Sequence, residues 1–198
     1  MMRLCIRIID LIFSLIGLIL LSPFFIIIIV YIKIDSRGPI FYQQIRVGKD
    51  GIQFRLWKFR TMLLDSDKKG LLTVGKHDPR ITHAGLWLRK NKLDELPQLF
   101  NVLKNDMSIV GPRPEVQKYV DLYSDEQKKV LSIKPGITDY ASIKYAYENE
   151  LLKNSNDPEK KYIEEILPLK IELNMKYIKN PNISQYLYII FLTFKRIL

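Results

Sequence analysis

The chain has 198 residues, 47% of them hydrophobic, and 31 Lys and Arg against 21 Asp and Glu give it a net charge of +10. That length fits one ordinary domain with an appendage, and the basic surplus suits anionic partners: nucleic acid, acidic lipid head groups or phosphorylated substrates. The single cysteine, Cys5, excludes an internal disulfide, and with only His77 and His83 for company it excludes a zinc-type Cys/His cluster.

The first predicted element is an uncharged apolar run, residues 11–32, of 22 residues. As a straight helix it would be roughly 33 Å long, enough to cross a bilayer core. It is too long for a signal-peptide core, and no small-residue cleavage site follows it. Ser22-Pro23 stands at its middle, where proline removes a backbone hydrogen bond. Ser22 is placed to satisfy a carbonyl freed there. Basic residues flank both ends (Arg3 and Arg7 before; Lys33, Arg37 and Arg46 after), so charge selects no crossing direction. A re-entrant helix-break-helix and a kinked spanning helix both remain open.

Residues 40–47 and 52–59 predict a β-hairpin about the Gly48-Lys-Asp-Gly51 turn, with Ile52, Phe54, Leu56 and Lys58 on one face of the returning strand. Lys58 and Arg60, two apart, are expected on the same side. Residues 63–83 read as a polar excursion rich in turn formers. A short helix is predicted near residues 85–91. A longer one is predicted over 94–104, with Leu96, Leu99, Phe100 and Leu103 as its buried stripe. Helices are also predicted over 115–131 and over 148–179, the latter broken at Asp157-Pro158. The last, residues 183–198, carries one apolar face that suits either a membrane interface or the domain core. The fold class is therefore expected to be α+β and mostly helical: a re-entrant, kinked membrane helix over 1–36 and a cytosolic catalytic domain over 37–198 with a small hairpin and interfacial amphipathic helices.

Asp94-Glu95, preceded by Arg89, Lys90 and Lys92, is the chemical focus. An acidic pair at the start of a helix is commonly a cap that favours the positive end of the helix dipole. The same pair suits a carboxylate nucleophile beside a ligand for a hard cation. In Gly111-Pro-Arg-Pro114 the flanking prolines hold Arg113 in an extended segment, a good presentation of a guanidinium to a planar or anionic group.

The motifs stand in one order: the leader with Ser22-Pro23, Lys58-Phe-Arg60, Asp78-Pro-Arg-Ile-Thr82, Leu93-Asp-Glu-Leu-Pro-Gln-Leu-Phe-Asn101, Met107-Ser-Ile-Val-Gly-Pro-Arg-Pro114 and Lys134-Pro-Gly-Ile-Thr138. So ordered, the chain resembles the bacterial sugar transferase family, the small monotopic phosphoglycosyl transferases, over nearly its whole length. The resemblance implies an enzyme that moves a sugar-1-phosphate from a UDP-sugar to a membrane polyprenyl (undecaprenyl) phosphate at the cytoplasmic face of the bacterial inner membrane. It assigns Asp94 as nucleophile, Glu95 as the residue associated with Mg2+, and Arg89 to the phosphates. Lys58 and Arg60 join Arg89 as further positive charge, Arg113 goes to the uridine, and Ser22-Pro23 is the break of a re-entrant helix. A homodimer is left open. The stretch Asp139-Tyr-Ala-Ser-Ile143 departs from the usual continuation and leaves the sugar undetermined.

Two rival classes make different predictions. A nucleic-acid-binding protein needs aromatic residues interleaved with a basic patch or a reading helix, and the sequence has no such arrangement. A membrane adaptor without chemistry needs Asp94-Glu95 to be only a helix cap.

Overall fold

A computed structural model describes residues 2–66, 78–153 and 155–197. Most of the polar excursion, including His77, lies outside the described residues; His83 is exposed.

Helix α1 (Met2–Asp35) contains Pro23 within a single helical span, so the two halves expected from the sequence form one element. The physical reason is local. Pro23 offers no N–H to the carbonyl four residues back, Ile19 O, and the Ser22 hydroxyl donates to that oxygen instead at 2.8 Å. Among the described residues α1 is the only helix long and apolar enough to cross a membrane. It is nevertheless tied to the domain at both ends. Arg7 donates to Val102 O and Leu103 O, and Asp10 accepts from Ser108 Oγ and Ile109 N. At the far end Asp35 accepts from Ala84 N. Between these anchors Phe25, Ile28 and Ile32 pack on Phe59, Ala84 and Leu88. The opposite face, with Leu15, Ile19, Leu20, Ile26 and Ile27, is exposed.

Strands β1 (Phe41–Val47) and β2 (Gln53–Phe59) form the expected antiparallel hairpin, Phe41 opposite Phe59 and Tyr42 opposite Lys58. Helix α2 (His83–Lys90) follows, capped by Thr82. The long helix predicted over 94–104 is not formed as such. A 3-10 turn, Leu93–Glu95, leads to a short α3 (Gln98–Leu103) that begins after Pro97. Its fully buried positions are Gln98, Asn101 and Val102, and the leucine stripe is half-buried. Polar Asn101 goes inward because β2 presents an unpaired backbone edge there. Its Oδ1 accepts from Trp57 N at 2.9 Å and its Nδ2 donates to Arg55 O at 2.8 Å, so burial costs no hydrogen bond.

Strand β3 (Ser108–Val110) leads through α4 (Gln117–Val120) and α5 (Asp125–Lys128) to β4 (Gly136–Thr138). The predicted helix over 115–131 is thus broken into short turns. β3 and β4 pair in parallel, a second small sheet that the sequence did not reveal. Gly111 and Gly136 meet backbone to backbone there, since a Cβ on Gly136 would sit 2.1 Å from Gly111 N. Then come α6 (Tyr140–Lys144), α7 (Glu148–Lys153), α8 (Pro158–Lys161), a π-helical turn at Tyr162–Ile166, α9 (Leu167–Lys179) and α10 (Ile183–Ile197). The predicted break at Asp157-Pro158 is present, with Asp157 capping α8. The domain-core reading of the last helix holds for one side of it. Tyr186 and Ile189 are buried in the domain, while Leu187, Phe191 and Phe194 are exposed on the other side.

Candidate active site

The elements line a cavity of about 780 Å³. Phe13, Ile16 and Gly17 of α1 and Ile190 and Phe194 of α10 contribute apolar wall, and Arg46, Lys58, Arg89, Asp94, Glu95 and Arg113 contribute charged wall. A volume in this range suits a ligand of nucleotide-sugar size.

Asp94 sits in the 3-10 turn and is 8% exposed. The turn's own cap position is Lys92, in the left-handed region at φ 57°, with no side-chain cap bond, and α3 starts four residues after Asp94. Asp94 is therefore not a helix cap. Among the described residues no donor lies within hydrogen-bond distance of its carboxylate. Glu95 is the opposite. Its Oε1 accepts from Lys58 Nζ at 3.0 Å and from Arg113, and its Oε2 accepts from Arg113 NH1 at 2.9 Å.

These environments drive the neighbouring carboxylates apart. Burial alone would raise Glu95, but Arg113 and then Lys58 hold it well below the usual carboxylate range. Burial first, and the charge of Glu95 second, lift Asp94 above the ordinary aspartate value. Lys58, Arg89 and Arg113 oppose that rise without reversing it. Nearby cations by themselves would lower the Asp94 pKa, but desolvation outweighs them. Arg113 is raised, chiefly by Glu95, and Lys58 is lowered, chiefly by burial.

Each basic residue reaches the site by a different route. Lys58 arrives from β2, whose edge is held by Asn101. Arg113 leaves the Gly111–Gly136 contact, and its own N–H donates to Asp139 Oδ2 at 2.8 Å. Asp139 also accepts from Ser142 N and caps α6, so the departure at residues 139–143 helps to hold Arg113. Arg89, in the last turn of α2, donates from Nε to Thr61 Oγ1 at 2.9 Å and lines the cavity. Arg60 is not brought to the site. Its guanidinium donates to Ser36 O, Ser36 Oγ and Arg37 O, joining the end of β2 to the segment after α1. Sequence reasoning missed Arg46. In β1 it shares a face with Tyr42 and Gln44, opposite Lys58 and its neighbours, and that period-two pattern was the available signal.

Among the described residues no group of three or more His, Cys, Asp and Glu could hold a metal by itself. The pair fits a hard cation only with help from a substrate. Glu95 uses three of its roughly four lone-pair directions and Asp94 uses none, and magnesium takes one or two carboxylates with phosphate oxygens.

A comparison with protein families matches residues 1–198 to the bacterial sugar transferase family. The chain belongs to that family. A UDP-N-acetylgalactosamine-undecaprenyl-phosphate N-acetylgalactosaminephosphotransferase of Aeromonas hydrophila is 36% identical over 96% of this chain and 42% of its own length. A UDP-glucose:undecaprenyl-phosphate glucose-1-phosphate transferase of Klebsiella pneumoniae is 37% identical over 94% of this chain and 38% of its own. A Bacillus subtilis (strain 168) protein is 44% identical over 61% of this chain and 67% of its own. The chain thus spans well under half of the first two relatives.

Proposed function

We propose that the chain transfers a sugar-1-phosphate from a UDP-sugar to a membrane polyprenyl phosphate, with an aspartyl sugar-phosphate on Asp94 as intermediate. The observation that carries this reading is the contrast within one pair of carboxylates. Glu95 is pinned by two cations, whereas Asp94 is buried, accepts no hydrogen bond among the described residues and borders the cavity. A carboxylate made more basic by burial and unencumbered by donors is a good nucleophile. The names of the relatives support the donor and acceptor classes, and the first membrane step of glycan assembly is the corresponding role.

In the first step an Asp94 oxygen bonds to the β-phosphorus of the donor. The bond from that phosphorus to the bridging oxygen breaks, and UMP departs with the electron pair. In the second step an oxygen of the polyprenyl phosphate bonds to the same phosphorus, the bond to Asp94 breaks, and the carboxylate is regenerated. The product is a polyprenyl-diphosphate-linked sugar. Lys58, Arg89 and Arg113 line the same cavity and would meet the charge of the diphosphate, which preorganised cations stabilise. Arg113, whose fork grips Glu95, is the residue we assign to the uridine. Glu95 with donor phosphate oxygens would hold Mg2+, which when bound supplies charge neutralisation of the diphosphate.

The membrane arrangement follows from α1. A helix anchored to one domain at Asp10 and again at Asp35 cannot leave those ends on opposite sides of a bilayer. We read it as re-entrant about Ser22-Pro23, immersed by its exposed apolar face together with that of α10, with the domain on the cytoplasmic side. An acceptor whose phosphate lies at the head-group plane then meets a cavity lined in part by α1 and α10.

Intact-protein mass spectrometry of the full chain with magnesium and a panel of UDP-sugars, without acceptor, tests the chemistry. A gain of one sugar-phosphate, lost in Asp94→Asn, is the expected result. UMP release that needs polyprenyl phosphate and gives no adduct would mean direct transfer, and no reaction would leave Asp94 a structural residue.

A further inference from the structure

The cavity that holds Asp94 has a second polar wall, built from α7, α9 and the π-helical turn, which the transfer chemistry leaves unused. Its centre is Lys170. The ammonium donates to Glu148 Oε2 at 2.9 Å and to Tyr162 Oη at 3.3 Å, and it lies 3.7 Å from Glu115 Oε1. Two hydrogen bonds and one longer ion pair commit the ammonium to the wall itself, chiefly to Glu148. Glu115 is similarly occupied, by the Tyr162 hydroxyl, by Lys170 and by Arg46 at 3.5 Å. Glu148 differs. Only its Oε2 has a partner among the described residues, its side chain is 24% exposed, and it lines the cavity.

Glu148 and Asp94 line the same cavity, and the segments that carry them are joined. Lys92, two residues before Asp94, donates to the carbonyl of Ala146, two residues before Glu148, at 3.3 Å. The turn that carries the nucleophile is thereby tied to the turn that leads into α7. Near Asp94 the donor offers two kinds of group. Its phosphates are anions and are repelled by a carboxylate; its hydroxyl and amide N–H groups are donors, which an acceptor-only carboxylate takes well. The hexose is the donor-rich part attached directly to the β-phosphate.

We propose that Glu148, braced by Lys170, accepts hydrogen bonds from hydroxyl or amide groups of the hexose and determines which sugar is transferred. This rests on the transferase reading of the same cavity. A site built to bond a particular hydroxyl discriminates strongly against a sugar that lacks or inverts it, because the buried acceptor is then left without a donor.

The experiment compares wild type with Glu148→Gln, as full chains in lipid nanodiscs with magnesium and polyprenyl phosphate. UMP release is measured with UDP-glucose, UDP-galactose, UDP-N-acetylglucosamine and UDP-N-acetylgalactosamine, and competitive inhibition by UDP is measured alongside. The expected result is a fall of roughly 10- to 100-fold in kcat/KM for the preferred donor, a changed ranking of the four, and UDP inhibition within about twofold of wild type. Equal losses on all four donors with a parallel weakening of UDP inhibition would place the contact at the ribose or in the fold and overturn the proposal. If Glu148→Gln does not fold, Glu148→Asp keeps the charge that Lys170 needs and withdraws the carboxylate by one methylene; an unchanged ranking there overturns it equally. No UMP from wild type with any donor would instead overturn the transferase reading, and this proposal with it.

Discussion

Asp10, on the first helix, accepts the hydroxyl hydrogen of Tyr186, on the last, at 2.5 Å, across 176 positions of sequence. The same Oδ1 accepts from Ser108 Oγ and Ile109 N, so one carboxylate joins α1, β3 and α10. Both helices that expose apolar faces are thus registered to the strand that leads to Arg113. Tyr186→Phe should cost about 1–2 kcal/mol, and Asp10→Ala more, since it strands several buried donors at once. Thermal unfolding of the detergent-solubilised protein measures both, and equal stability of all three proteins would show the junction to be dispensable.

Asp94→Asn should abolish transfer and stabilise the fold. Folding raises the Asp94 pKa above its unfolded value, so the folded form holds the proton more tightly. Stability is therefore lost as pH rises from the unfolded value through the folded one, and it stays lost at neutral pH. Asparagine carries no charge and removes that cost. The melting temperature should rise by about 2–4 °C per kcal/mol recovered, with the gain disappearing in acid. Wild-type activity should rise with pH along a limb displaced above the ordinary aspartate value.

Arg113→Lys keeps the charge and loses the two-pronged grip on Glu95. A lysine cannot reproduce a planar fork. Steady-state kinetics should show kcat/KM for the donor falling roughly 10- to 100-fold, mainly through KM. A change confined to kcat would instead assign Arg113 to the transition state alone.

Asn101→Ala removes the bonds to Trp57 N and Arg55 O and leaves both backbone groups of β2 unpaired. A loss of about 2–3 kcal/mol is expected, read as a lower melting temperature. Because Lys58 follows directly on that strand, donor KM should rise as well.

Pro23→Ala returns an N–H to Ile19 O, which the Ser22 hydroxyl now occupies. If the re-entrant reading holds, the mutant helix straightens. Cysteines placed at its two ends, both shielded from the outside of the cell in wild type, should then label from opposite sides. Continued shielding of both would mean that the anchors at Asp10 and Asp35 decide the topology.

Much of this protein was legible in its residues because the relevant physics is local. Uncharged length marks the leader, alternation about Gly48–Gly51 marks the hairpin, Asp157-Pro158 marks a helix start, and the ordered motifs mark the family. Ser22 beside Pro23 is local too: the hydroxyl and the carbonyl it satisfies lie within one turn. The stripe of α3 was misjudged, because burial there depends on which neighbour covers each side. A strand edge that needs donors and acceptors draws Asn101 inward in place of a leucine.

The sequence by itself determined that an acidic pair, several cations and an apolar helix belong to one protein. Tertiary structure alone decided which of them meet. Lys58 and Arg60 sit two residues apart, yet Lys58 reaches Glu95 while Arg60 turns to the carbonyls of Ser36 and Arg37. Asp94 and Glu95 are adjacent, yet their basicities part in opposite directions, since Arg113 arrives beside only one of them. Side-chain charge is a property of the residue, whereas desolvation and partner distance belong to the packed chain, and those two quantities separate a nucleophile from an anchor.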